Sequence, residues 1–118
     1  MLIYLDNGGK KGYNENQLKK FKADIASARE KDLPVLIFQH IPLGSEETNY
    51  KDEASISLYN EIKKSADVVK GIFCGHIHEH SLTYLGGLNQ DGSENNIKIP
   101  QYSGSGAHYN NVMKITVE

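Results

Sequence analysis

The feature that most constrains the fold of this chain is an unbroken apolar run just before Gln39 and His40. From Leu33 to Phe38 the run contains no alternation of apolar and polar residues. Uninterrupted runs of this length are typical of central parallel strands that are covered on both faces. Pro42 follows shortly afterwards, and proline cannot continue a central strand. We therefore predict a buried parallel strand over Leu33–Phe38.

Amphipathic segments on either side of this run predict two helices. The first begins after Asn14, which can act as the N-cap and, with Gln17 three residues later, forms a pair that resembles a capping box. It is expected to end near Lys31, before Pro34. The second helix is predicted over roughly Ala54–Lys64. Apolar residues recur in the first helix at helical spacing: Leu18, Phe21, Ile25 and Ala28.

Further short apolar runs complete the predicted sheet. Leu2–Leu5 and Val69–Cys74 read as strands, so the first 75 or so residues alternate strand, helix, strand, helix, strand. This order favours an α/β fold with a parallel sheet built from right-handed crossovers. Three later strands are predicted without an intervening helix and are therefore expected to be antiparallel: Leu82–Leu85, Asn96–Ile99 and Val112–Val117. We treat residues 1–118 as one domain.

Composition excludes several classes of function. Thirteen Lys and Arg residues oppose fifteen Asp and Glu residues without a block of like charge, so no nucleic-acid-binding patch is expected. No apolar run approaches the roughly 20 residues of a membrane span. The single cysteine, Cys74, excludes an internal disulfide, and its place in an apolar strand favours a packing role over a nucleophilic one. If Met1 is the native start, the lack of a signal peptide predicts a cytoplasmic protein.

Histidines follow two of the predicted strands. His40 comes after the first buried run, and Gly75-His76-Ile77-His78 comes after the second. The carboxyl ends of parallel strands meet at one edge of a sheet, where ligands bind in open α/β folds. Neutral imidazole is the commonest side-chain metal ligand. The sequence therefore predicts a metal site at this edge of the sheet.

At these residues the chain resembles a known family. Leu36–Leu43 and Gly71–His78 are similar to the last two signature blocks of the calcineurin-like metallophosphoesterases, in the same order and with a helix between them. The resemblance extends to His78 and implies that residues 1–118 form the C-terminal half of a two-layer metallophosphoesterase sandwich. It also implies that His40 and His76 bind one metal ion and that His78 binds the other. In this family a pair of Mn, Fe or Zn ions activates a bridging water for attack on a phosphoester.

The chain departs from the family in its missing earlier blocks. Asp-X-His, Gly-Asp-X-X-Asp and Gly-Asn-His-Asp/Glu are absent, and with them the bridging carboxylate, the Asn ligand and the histidine that protonates the leaving alkoxide. The resemblance therefore assigns no catalytic residue here and implies weak metal binding and an inactive isolated chain. A halved sandwich exposes apolar sheet surface, so we expect a homo-oligomer or pairing with a missing N-terminal half.

A second hypothesis uses a different set of histidines. His76, His78 and His80 alternate with other residues, and on a single strand they would share one face. Three imidazoles in this arrangement suit a tetrahedral zinc ion with one open position. The chain would then be a non-catalytic or mononuclear metal-binding module, and substitution of His80, rather than His40, would abolish metal binding.

Overall fold

Five strands and two helices form the part of the chain that the structure, a computed structural model, describes: residues 1–7, 12–44, 50–75 and 80–104. Their order agrees with the predicted alternation of strands and helices up to Cys74. The predicted strand Val112–Val117 lies outside the described residues. The elements are β1 (Leu2–Tyr4), α1 (Glu15–Glu30), β2 (Val35–Phe38), α2 (Glu53–Lys64), β3 (Val69–Cys74), β4 (Ser81–Leu88) and β5 (Glu94–Ser103).

Both helices begin at a capped residue. The Asn14 side chain accepts a hydrogen bond from the backbone N–H of Gln17 at 2.9 Å, as predicted, and Asp52 does the same for Ser55 at 3.0 Å. The Gln17 side chain, however, does not complete a capping box. Its amide accepts from the backbone N–H of Asp6 at 2.8 Å and donates to the Asp6 carbonyl at 3.0 Å. Gln17 therefore connects α1 to the segment that follows β1.

The strands form one mixed sheet in the order β1-β2-β3-β5-β4. β1, β2 and β3 are parallel, and the helices provide the crossovers between them. β4 and β5 pair antiparallel, as predicted, and the turn between them contains Gly92, which has a φ of 90°. The later strands were all expected to be antiparallel, but β5 pairs with β3 in parallel. The fold is therefore α/β with a five-stranded mixed sheet.

The core lies between the helices and one face of the sheet. All four apolar residues that predicted α1 are buried, as are the inward-facing residues Ile37 of β2 and Ile72 of β3. Successive right-handed crossovers in one direction place their helices on the same side of a sheet. The apolar residues of α1, α2 and this sheet face accordingly form one buried cluster.

The opposite face of the sheet is not covered by α1 or α2. Leu36 and Phe38 of β2 point to this face and are only half-buried, and Tyr4 of β1 is 73% exposed. The expectation that β2 is covered on both faces is therefore wrong for the described part of the chain. This face is left uncovered because both crossovers run in the same direction and place their helices on the other side of the sheet.

Neither α1 nor α2 is long and apolar enough to cross a membrane.

Candidate metal centre

His40 and Gly75 lie side by side at the carboxyl ends of β2 and β3. Phe38 and Phe73 are register partners at the ends of these strands. Beyond them, the backbone N–H of Gln39 donates to the Phe73 carbonyl at 3.0 Å, and the N–H of Gly75 donates to the His40 carbonyl at 3.2 Å. The residue before His76 is thus bonded directly to His40.

Of the three predicted ligands, His40 is among the described residues. The His40 side chain is exposed at this edge of the sheet. His76 and His78 lie outside the described residues. The structure therefore brings together His40 and the segment leading to His76, and leaves the ligand roles of all three histidines as predictions.

The backbone around His40 is held by buried side-chain amides. We refer to residues 39–44 as the His40 loop. Asn7, which is fully buried, donates to the Ile41 carbonyl at 2.8 Å and accepts from the Ile41 N–H at 3.0 Å. Gln101 of β5 makes the same pair of hydrogen bonds with Leu43: it accepts from the Leu43 N–H at 2.7 Å and donates to the Leu43 carbonyl at 2.9 Å. Two amides from distant parts of the chain therefore fix the His40 loop.

A third amide connects this loop to the helices. The Gln39 side chain donates to the Ile41 carbonyl at 3.1 Å and accepts a hydrogen bond from the Tyr13 hydroxyl. Burial raises the pKa of Tyr13 well above its usual value, so the hydroxyl stays protonated and remains a donor. Tyr13 in turn accepts, through its carbonyl, a hydrogen bond from Ser55 of α2 at 3.2 Å. We call Asn7, Tyr13, Gln39 and Gln101 the buried amide network.

Cys74 does not contribute an available ligand at this edge. It is buried on the helix-covered face of β3, with its Sγ 3.7 Å from Oε1 of Gln101. Burial raises the pKa of the Cys74 thiol to about 12. Metal binding and nucleophilic attack both require the thiolate. The prediction that Cys74 is a packing residue is confirmed.

The described residues do not by themselves form a metal site. Among them, no group of three or more His, Cys, Asp or Glu side chains could hold an ion. His80 is exposed and directly precedes β4, while Gly75 directly follows β3, so neither residue belongs to a strand. At this edge the described residues include the exposed side chain of His40, and a complete ligand set would need side chains from outside the described residues.

A cavity of about 730 Å³ lies beside the His40 loop. It runs between α2 and the β4–β5 hairpin, from Pro42 and Ser103 at the carboxyl edge of the sheet to Lys98 farther along β5. Its lining is mixed in polarity, and Lys63 stands over the Tyr59 ring at 4.5 Å from the centroid. This volume falls within the range of small-molecule sites in proteins.

Sequence reasoning did not find the residues that hold the His40 loop. Asn7 reads as a turn former after β1, and Gln101 lies beyond the predicted strand Asn96–Ile99. Their partners lie 34 and 58 residues away in sequence. The only local signal is the position of Gln39 next to His40.

Comparison of the chain with protein-family models gives no match, and comparison with curated proteins gives none either.

Proposed function

We propose that this chain is the C-terminal part of a metal-dependent phosphoester hydrolase, to which it contributes His40, His76 and His78 as metal ligands. The observation that supports the proposal most strongly is the hydrogen bond from Gly75 to His40. It joins the two segments whose motifs resemble those of the family. A shared metal centre requires these segments to lie side by side, whatever the sequence distance between them.

The chain's own residues would present and orient the imidazoles. The buried amide network holds the backbone of the His40 loop on both sides, so that His40 is exposed on a fixed support. Fixed ligand positions favour metal binding, because less conformational freedom is lost when the ion binds. Divalent Mn, Fe or Zn ions, when bound, would supply the activation of water and the charge that phosphoester hydrolysis requires.

The small number of ligands in this chain limits the metal binding and catalysis expected of the chain alone. Catalytic zinc sites usually have three protein ligands for each ion. Three histidines divided between two ions give fewer, so we expect weak binding and no turnover without ligands from a missing N-terminal half. The 730 Å³ cavity next to the His40 loop supports a phosphoester substrate with a sizeable organic group.

Calorimetric titration of the full chain with Zn²⁺ tests the ligand assignment. We expect His40→Ala to weaken binding about tenfold or more, because it removes a ligand. His80→Ala is the matched control, since His80 is also an exposed histidine near the same edge. The reverse result, with loss of affinity in His80→Ala and none in His40→Ala, would favour the site formed by His76, His78 and His80 and would refute the two-strand centre.

A further inference from the structure

The sheet face that α1 and α2 leave uncovered carries large apolar side chains from all five strands. Strand alternation places one charged side chain, that of Lys98 on β5, towards the end of this face. We call it the apolar sheet face, and its members are Leu2, Tyr4, Leu36, Phe38, Phe73, Leu82, Tyr84 and Tyr102. A cluster of large aliphatic and aromatic side chains of this kind is typical of the core of a protein interface.

An aromatic row crosses the middle of this face. The rings of Tyr4, Phe38, Phe73 and Tyr102 stack in sequence across four adjacent strands. Neighbouring ring centroids are 5.3, 5.2 and 5.2 Å apart, with interplanar angles of 25°, 22° and 12°. On β4, Leu82 continues the row as the register partner of Tyr102. Side chains held in this way on a sheet form a broad surface of fixed shape.

The exposed area of the face lies at the upper end of the range for monomers. Leu2 is 56%, Tyr4 73%, Leu82 48% and Tyr84 59% exposed. With roughly 150–250 Å² for each large side chain, these four expose about 400–500 Å², and the half-buried members raise the total to about 500–600 Å². The largest apolar patch on a typical monomer is about 300–600 Å². Two such faces in contact would bury about 1,000–1,200 Å², which reaches the lower limit of a specific interface.

We propose that the apolar sheet face binds the same face of a second copy of this chain. The area that two such faces would bury reaches the lower limit of a specific interface, and a two-fold axis pairs each patch with itself. Two sheets packed face to face lie about 10 Å apart, with their side chains interdigitated. Interfaces at this lower limit are typical of weak complexes, so we expect association that depends on concentration. The proposal depends on the uncovered face and not on metal binding.

Sedimentation equilibrium of the full chain, from about 1 to 200 μM, tests this interface. We expect a monomer–dimer equilibrium for the wild type. Tyr4→Lys on β1 and Leu82→Lys on β4 place a charge at opposite sides of the face, and each should raise the dissociation constant at least tenfold. Ile56→Lys is the matched control, because Ile56 is 42% exposed but lies on α2. It should leave the dissociation constant unchanged.

Three results would overturn the proposal. The first is a wild type that stays monomeric at 200 μM, including one that associates only with a different polypeptide. The second is an Ile56→Lys variant that dissociates as readily as the face variants. The third is a pair of face variants, folded by circular dichroism, that dimerise like the wild type. Zinc titration of His40→Ala is measured independently, so the interface and the metal site can fail separately.

Discussion

Replacement of Asn7 by alanine should destabilise the chain far more than its place outside any helix or strand suggests. The Asn7 side chain is fully buried and makes two hydrogen bonds to Ile41, which is itself only 1% exposed. In Asn7→Ala the Ile41 carbonyl keeps its hydrogen bond from Gln39, but the Ile41 N–H loses the Asn7 oxygen.

The size of the effect follows from these two bonds. A buried donor left without an acceptor costs about 1–3 kcal/mol, and the loss of the second bond costs about 0.5–1.5 kcal/mol. We therefore expect Asn7→Ala to lower the free energy of unfolding by about 2–4 kcal/mol, a large fraction of the roughly 5–15 kcal/mol that stabilises an ordinary domain. With an m-value near 1.5 kcal/mol/M, the urea midpoint should fall by about 1.3–2.7 M.

Urea unfolding followed by far-UV circular dichroism measures this change. Asn96→Ala is the control, since Asn96 is an exposed asparagine on β5 and its loss should change stability by less than about 0.5 kcal/mol. If Asn7→Ala and Asn96→Ala shifted the midpoint equally, the reasoning from buried amides would be refuted. Both variants should be measured at a concentration below that of self-association.

Two further predictions concern single positions. A Cβ on Gly87 would lie 2.5 Å from Asn95 Oδ1 and 2.6 Å from Ala66 Cβ, so Gly87→Ala should lower the free energy of unfolding in urea by about 1–3 kcal/mol. A Cβ on Gly86 would have no heavy atom within 4 Å, so Gly86→Ala should change stability by less than about 0.5 kcal/mol. Equal effects of the two substitutions would contradict this packing. The pKa of the Cys74 thiol is raised to about 12 in the folded chain. Because the unfolded thiol ionises from about pH 9 and the folded one does not, rising pH favours unfolding, and the stability of the wild type relative to Cys74→Ala should fall by about 2 kcal/mol between pH 9 and 10.5. A difference that stays constant over this range would show that the thiol is not shielded from water.

Local signals in the sequence were sufficient for the helices and the parallel strands. Asn14 marks the start of α1 through a hydrogen bond to a residue three positions away, and the apolar runs at β2 and β3 need no partner to be recognised. The positions of His40 and Gly75 at one edge followed from the parallel order of these strands. All of these features depend on neighbours along the chain or on a general rule of handedness.

Features that depend on distant pairings could not be predicted. The insertion of β5 between β3 and β4 is set by register with Ile72–Cys74, and nothing within β5 specifies this neighbour. The uncovered sheet face was expected from the family resemblance, but the apolar run at β2 on its own predicted the opposite. The buried amide network could not be predicted, because the sequence does not distinguish an Asn or Gln that is buried against a loop from one that is exposed to water.

The hydrogen bonds from Asn7 and Gln101 also have a consequence for backbone dynamics. The N–H groups of Ile41 and Leu43 belong to no helix or strand, yet each is bonded to a buried side-chain oxygen. Amide hydrogens exchange with solvent only when such bonds open, and buried ones open in the least frequent fluctuations. Ile41 and Leu43 should therefore exchange as slowly as the neighbouring strands, and His40 is carried by a loop whose backbone is as ordered on this timescale as the sheet itself.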